Sequence, residues 1–209
     1  MAETPLTYAD RARALQGYRT VSRLIADDDN VFLDPYSALI SDHAHIGTGN
    51  VFYPNVRIDA VPSSLRIGDD NRFFEGTRID ATGGGRVDIG DTNEFGPHAV
   101  ALLANRPDAT ITVGNRVRLR GTIDVAGAST LEDGSQILGD ISAVNVALTG
   151  GGSHREADPD LRGAVLKGRG RATGVAVARG HVINGDGDFA TAAVEAQSVY
   201  HPHPRSAGG

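Results

Sequence analysis

The chain has 209 residues, a formal net charge of -6, 40% hydrophobic residues and no cysteine. That length allows one compact domain or a small domain with appendages, and the acidic balance gives no support to a nucleic-acid footprint. The absence of thiols excludes disulfides, thiolate catalysis and thiolate metal sites, while seven histidines keep an imidazole and carboxylate site open. With 27 glycines, nine prolines, six phenylalanines and five tyrosines, the composition favours tight turns and thin layers of small side chains over a large aromatic core.

The N-terminal stretch lacks the uninterrupted apolar core of a signal peptide, and no segment approaches the roughly 20 apolar residues of a membrane span. A soluble, cytoplasmic protein without membrane contact is therefore expected. Over residues 7–26, Leu15, Tyr18, Val21, Leu24 and Ile25 recur at helical spacing, with Arg11, Arg13, Arg19 and Arg23 mostly elsewhere. This predicts a short amphipathic helix within an N-terminal arm, residues 1–30, packed on the main body.

From about residue 31 a period of six replaces helical spacing. Its members are Ile40, Ile46, Phe52 and Ile58; Ile67, Phe73 and Ile79; Ile89, Phe95 and Ala101; Val113, Leu119 and Val125; and Leu131, Ile137 and Ala143. A six-residue unit can be a short extended segment plus a turn, so three units close a triangular coil with every sixth side chain on its axis. Coils stacked at the strand spacing of about 4.8 Å then share a core that no single coil has. Relative to an ideal coil, extra residues fall at one corner, around 60–64, 82–86 and 103–109, as small loops on one edge of a solenoid.

The segments "IGTGNV", "IGDDNR", "IGDTNE" and "VGNRVR" resemble the motif of the hexapeptide-repeat proteins: an aliphatic residue, a glycine or small polar residue, two variable positions and a small residue. The resemblance implies an all-β fold, a left-handed parallel β-helix of about six coils over residues 31–148. A loop, irregular coils or an external arm, and a tail docked on the body or on a partner subunit would fill 149–209. It also implies a homotrimer with sites between adjacent solenoids.

Aligned coils turn columns of the sequence into rows on a face. Asn50, Asn71 and Asn93 share one inward turn position and are expected to form an amide ladder. The column Asn55, Gly76, His98, Thr122 and Asp140 contains one imidazole, His98, close to Glu75 and Arg120 and beside the longest inserted loop. A turn histidine with no chemical task is the competing reading.

By resemblance to the family's acyltransferases, His98 would be the general base toward an acceptor hydroxyl or amine attacking an acyl-CoA thioester. Glu94 or Glu75 would orient the ring, and a backbone N–H of a glycine-rich turn would hold the oxyanion. Arg118 and Arg120 point outward together and would hold a coenzyme A phosphate or an anionic acceptor. The segment "GGGSHREADPD", residues 150–160, supplies a second histidine, His154, on a loop able to reach a cleft.

Two other function classes stay open. One is a non-catalytic scaffold or assembly subunit. The other is a metal-dependent hydratase or lyase like the γ-class carbonic anhydrases, for which His43, His45, His154 and His181 would have to converge with His98. The family's histidine pair five residues apart is missing, since His43 and His45 are two apart, so no bound metal is expected. A small-molecule substrate, acyl-CoA as co-substrate and no nucleic-acid partner complete the expectation.

Overall fold

The computed structural model describes residues 4–201, and over them the chain forms an all-β, left-handed parallel β-solenoid. Every inter-coil pairing is parallel until the last strand, Val194–Ala196, turns back antiparallel on His181–Asp188. The first face of the triangle carries Val31–Phe32, Val51–Phe52, Arg72–Phe73, Glu94–Phe95 and Arg118–Arg120. Three longer strands, Gln136–Val144, Val165–Thr173 and His181–Asp188, run from the first face into the second and make eight tiers in all. The third face is a separate seven-stranded sheet from His45–Ile46 to Ala176–Val177.

The six-residue period is the inward column. Phe32, Phe52, Phe73, Phe95, Leu119, Ile137, Leu166 and Ile183 lie in register. The four phenylalanine rings stack at 4.7, 5.0 and 4.9 Å, the strand spacing itself. One member differs from the expected pattern: Ile79 follows Phe73 by six positions, but its register partner is Leu102, seven after Phe95. Leu102 and Val100 are fully buried, whereas Ala101 faces outward. The third copy of the repeat therefore carries one extra residue at the corner that holds His98.

Two ladders lock the corner between the third and first faces. Asn50, Asn71 and Asn93 form the expected one, extended below by Asn30. Asn71 Nδ2 donates to Asn50 Oδ1 at 3.0 Å and to the Gly90 carbonyl at 2.9 Å. The ladder ends where Val117 N donates to Asn93 Oδ1. A second ladder lies outside it: the backbone N–H groups of Thr48, Asp69, Asp91 and Asn115 donate to the side chains of Asp69, Asp91, Asn115 and Asp133 in turn, at 2.7–2.8 Å. It explains the glycine of the motif, because a Cβ on Gly68 would lie 2.1 Å from Asp91 Oδ1 and 2.8 Å from the Gly90 carbonyl.

The inserted loops share the corner between the second and third faces, as the spacing predicts, following Arg57–Ala60, Arg78–Ala81 and Val100–Leu103. The parallel stack runs past the expected boundary at 148. Val165 pairs with Gln136 across the insertion 149–164, and Val182 pairs with Val165. Glycines at 121, 139 and 168 flatten the corner between the first two faces in these upper tiers. A Cβ on Gly139 would meet the Gly168 carbonyl at 1.9 Å.

The single helix expected over 7–26 is two, Pro5–Leu15 and Val21–Ile25, because Gly17 takes a positive φ of 75° and Thr20 caps the second helix. Val21 and Leu24 cover the lower end of the core, while Leu15 and Ile25 are exposed. Arg13 and Arg19 are buried as well, donating to the carbonyls of Tyr36 and Ala44. Phe189 closes the upper end. No helix among the described residues is long and apolar enough to cross a membrane.

Candidate functional site

Outward side chains of the first face change character along the stack. The lower tiers show Val31, Leu33, Tyr53 and Phe74; the next show Glu94, Arg118 and Arg120; the upper show Gln136, Leu138, Val165, Lys167 and Val182. Two segments overhang this upper part. The insertion 149–164 crosses from the third face and brings His154 and Arg162 with it. From the other side comes the turn at Gln197–Val199, anchored by Gln197, which is buried and donates through Nε2 to the carbonyls of Gly163 (2.7 Å) and His181 (3.3 Å).

Between them lies a cleft of about 330 Å³, floored by Gln136, Leu138, Val165 and Val182 and walled by Arg118, His154, Arg162, Lys167, Tyr200 and His201. A second cleft of about 250 Å³ adjoins it, lined by Thr92, Glu94, Arg116, Arg118, Ser153, His154 and Arg155. Arg118 and His154 belong to both and form the partition.

His154 is half-buried, and its Nδ1 has no hydrogen-bond partner. Burial, followed by the positive charge of Arg118, holds its pKa below the ordinary imidazole value, with Glu94 acting weakly the other way. The ring is therefore neutral at pH 7 and able to accept a proton. Arg118 donates from Nε to Glu94 Oε2 at 3.3 Å and from Nη1 to Gln136 Oε1 at 3.4 Å, and burial lowers its pKa as well. Arg120 reaches the same Glu94 oxygen at 3.6 Å.

Of the six residues singled out from the sequence, four meet here: His154, Glu94, Arg118 and Arg120. Arg120 lines neither cleft and joins them only through Glu94, and His98 and Glu75 line neither. His98 is exposed at the lengthened corner and adopts φ 80°, like Asn55 (61°) and Gly76 (75°) in the tiers below. Glu94 gives its carboxylate to the two arginines rather than orienting the His98 ring. The amides of Gly150, Gly151 and Gly152 already donate to Glu132 Oε2, the Asp133 carbonyl and the Leu161 carbonyl, so none is free to hold an oxyanion.

Arg162, Lys167, Gln136 and Tyr200 were not singled out from the sequence. Extending the inward column to Leu166 would have marked Val165 and Lys167 as outward neighbours. Nothing in the sequence marks the return of the chain that brings Tyr200 over them. The terminal residues beyond 201, expected to dock on the body or on a partner, lie outside the described residues. Among the described residues no group of three or more His, Asp or Glu side chains is placed to hold a metal ion.

No protein-family model matches the chain, and no curated protein matches it. Among solved structures it is similar to a UDP-N-acetylglucosamine acyltransferase from Bacteroides fragilis, at 14% identity over 78% of this chain and 74% of that one, with a TM-score of 0.27. So distant a likeness says nothing about substrate or chemistry. The repeat, the three-faced register and the amide ladder fix the fold alone: the chain is a parallel β-solenoid built on a six-residue repeat.

Proposed function

We propose that the protein is an acyltransferase that moves an acyl group from acyl-CoA to a hydroxyl or amine of a small acceptor, with His154 as the general base. The observation that carries this reading is the placing of a neutral, half-buried imidazole on the partition between two clefts, against a cluster of guanidinium groups. His154 would take the proton of the acceptor O–H or N–H as the heteroatom attacks the thioester carbonyl carbon. Arg118, which lines both clefts with His154, would stabilise the negative charge that develops on the carbonyl oxygen. When the C–S bond breaks, the thiolate leaves as the coenzyme and takes the proton back from the imidazolium, so the ring ends neutral.

Glu94 holds Arg118 and Arg120 in place, and Arg116 and Arg155, which line the smaller cleft with it, would take the donor's phosphates. Two clefts meeting at one base suit a reaction of two substrates better than a scaffold does. A homotrimer in a cytoplasmic setting belongs to the same reading by family resemblance. The test is acyl transfer from a CoA thioester by the wild-type protein and by His154→Asn. Loss of turnover at unchanged folding is the expected result. Full turnover by His154→Asn would remove the assignment, and absence of any thioester binding by the wild-type protein would favour a non-catalytic scaffold.

A further inference from the structure

The larger cleft has an electrostatic character that the chain as a whole lacks. The protein carries a formal charge of -6, yet Arg118, Arg162 and Lys167 all line this cleft together with two histidines, and no Asp or Glu is among its lining residues. Among the described residues neither Arg162 nor Lys167 forms an ion pair. Arg162 donates its Nε to the Glu156 carbonyl at 2.7 Å, which holds the stem of the guanidinium fork and leaves the rest of the fork unengaged. Lys167 has its Nζ 5.9 Å from the centre of the Tyr200 ring. Tyr200 is in turn held by a hydrogen bond to Glu195, so the wall carrying the lysine's aromatic neighbour is fixed.

Opposite these charges the floor is apolar: Leu138, Val165 and Val182, of which Val165 and Val182 are 5% and 4% exposed under the overhang. Two cations without an ion pair, Arg162 and Lys167, beside an Arg118 whose charge is shared with Glu94, favour a dianion over a monoanion, and an apolar floor favours a carbon body attached to it. A volume of about 330 Å³ holds a small molecule; a whole coenzyme needs more.

We infer that this cleft is a phosphate-recognising acceptor subsite: Arg162 and Lys167 grip the phosphate of a small organic phosphate monoester, whose carbon body lies on Leu138, Val165 and Val182. The inference deepens the transfer reading and rests on it for the ligand's role as acceptor; binding of the phosphate does not depend on any chemistry. It adds Arg162 and Lys167 as specificity-determining residues and leaves the smaller cleft, with Arg116 and Arg155, to the acyl donor. Guanidinium and ammonium groups at one site suit a phosphate, which offers three oxygens to separate donors.

The probes are phenyl phosphate, benzoate and benzyl alcohol, bodies of similar size with a dianion, a monoanion and no charge, titrated calorimetrically into the full chain. Phenyl phosphate is expected to bind most tightly, benzoate about tenfold more weakly, and benzyl alcohol not measurably. Lys167→Gln and Arg162→Gln are each expected to weaken phenyl phosphate about tenfold and to flatten its salt dependence, with the thermal melt of Lys167→Gln unchanged because that side chain is exposed. Equal binding of phenyl phosphate and benzyl alcohol, or unchanged phenyl phosphate affinity in Lys167→Gln, overturns the inference. The two proposals fail separately: phosphate binding without any acyl transfer removes only the transfer reading, and His154-dependent transfer without phosphate binding removes only the subsite.

Discussion

The lower and upper halves of the solenoid solve the same packing problem in different ways. Below about residue 117 the phenylalanine stack and the two side-chain ladders tie each tier to the next. Three outward arginines there meet acids on their own strands: Arg57 with Asp59, Arg78 with Asp80, and Arg86 with Asp88. Above it the column becomes aliphatic, the amide ladder has ended, and glycines flatten one corner. Among the described residues Arg162 and Lys167 of the upper half form no ion pair. The phenylalanine stack and the asparagine ladder belong to the lower half alone, whereas the upper half carries the overhanging segments that bring polar side chains over a cleft.

The largest effect expected from that contrast is structural and confined to the lower half. Asn71→Ala removes the acceptor for the buried Asn93 N–H and the donor to the Gly90 carbonyl. Each stranded group costs about 1–3 kcal/mol, so the variant should lose about 2–6 kcal/mol in denaturant unfolding while any protein that remains folded keeps full transfer activity. A loss of less than about 1 kcal/mol would mean that the ladder does not carry the lower half.

The counterpart in the upper half is functional. His154→Asn should lower turnover by about 10²–10⁴-fold with little change in the unfolding midpoint, because the ring touches the cleft and bonds nothing in the core. A large stability loss without a rate effect would reverse the contrast and make 149–164 a structural strap.

A smaller effect separates the base from its setting. His154 has its pKa lowered by burial and by Arg118, so the acid limb of the pH–rate profile should lie below the ordinary imidazole value of about 6.5. Arg118→Met removes that positive charge and frees Glu94, and both changes favour the imidazolium; the acid limb should move to higher pH. The same sign governs stability. A histidine whose folded pKa is depressed costs nothing above the unfolded value, and its contribution is lost as pH falls through the folded pKa. Arg118→Met should therefore resist mild acid slightly better than the wild type, and a limb that moves downward would place the base elsewhere.

How much of this was legible in the sequence follows from what repeats and what does not. A column that recurs every coil can be read without coordinates, so the isoleucines, the phenylalanines and the asparagine ladder were recoverable from spacing alone. The outer ladder of Asp69, Asp91, Asn115 and Asp133 repeats too, but its residues look like ordinary turn acids until the next coil's N–H groups are placed beside them. The cleft was hidden because two single events build it, the insertion 149–164 and the return of Gln197–His201. Neither has a period, and the distance between them in sequence says nothing about their meeting over Lys167.

His98, marked by spacing, lies away from both clefts, and it yields the smallest expected effect. It stands three places after Phe95, as Asn55 and Gly76 stand three after Phe52 and Phe73, and all three adopt a positive φ, with or without the extra residue that separates Phe95 from Leu102. Asparagine, glycine and histidine are among the residues that tolerate that region, so the substitution pattern has a backbone cause and requires no chemistry. His98→Gly should change stability by no more than about 0.5 kcal/mol and leave turnover and its pH dependence as in the wild type, since the ring is exposed and lines neither cleft. A fall in turnover of tenfold or more in His98→Gly, with the melt unchanged, would return the base to the lengthened corner and leave His154 as an ornament of the loop. The pair of single variants, assayed side by side, thus decides which histidine the fold was built to present.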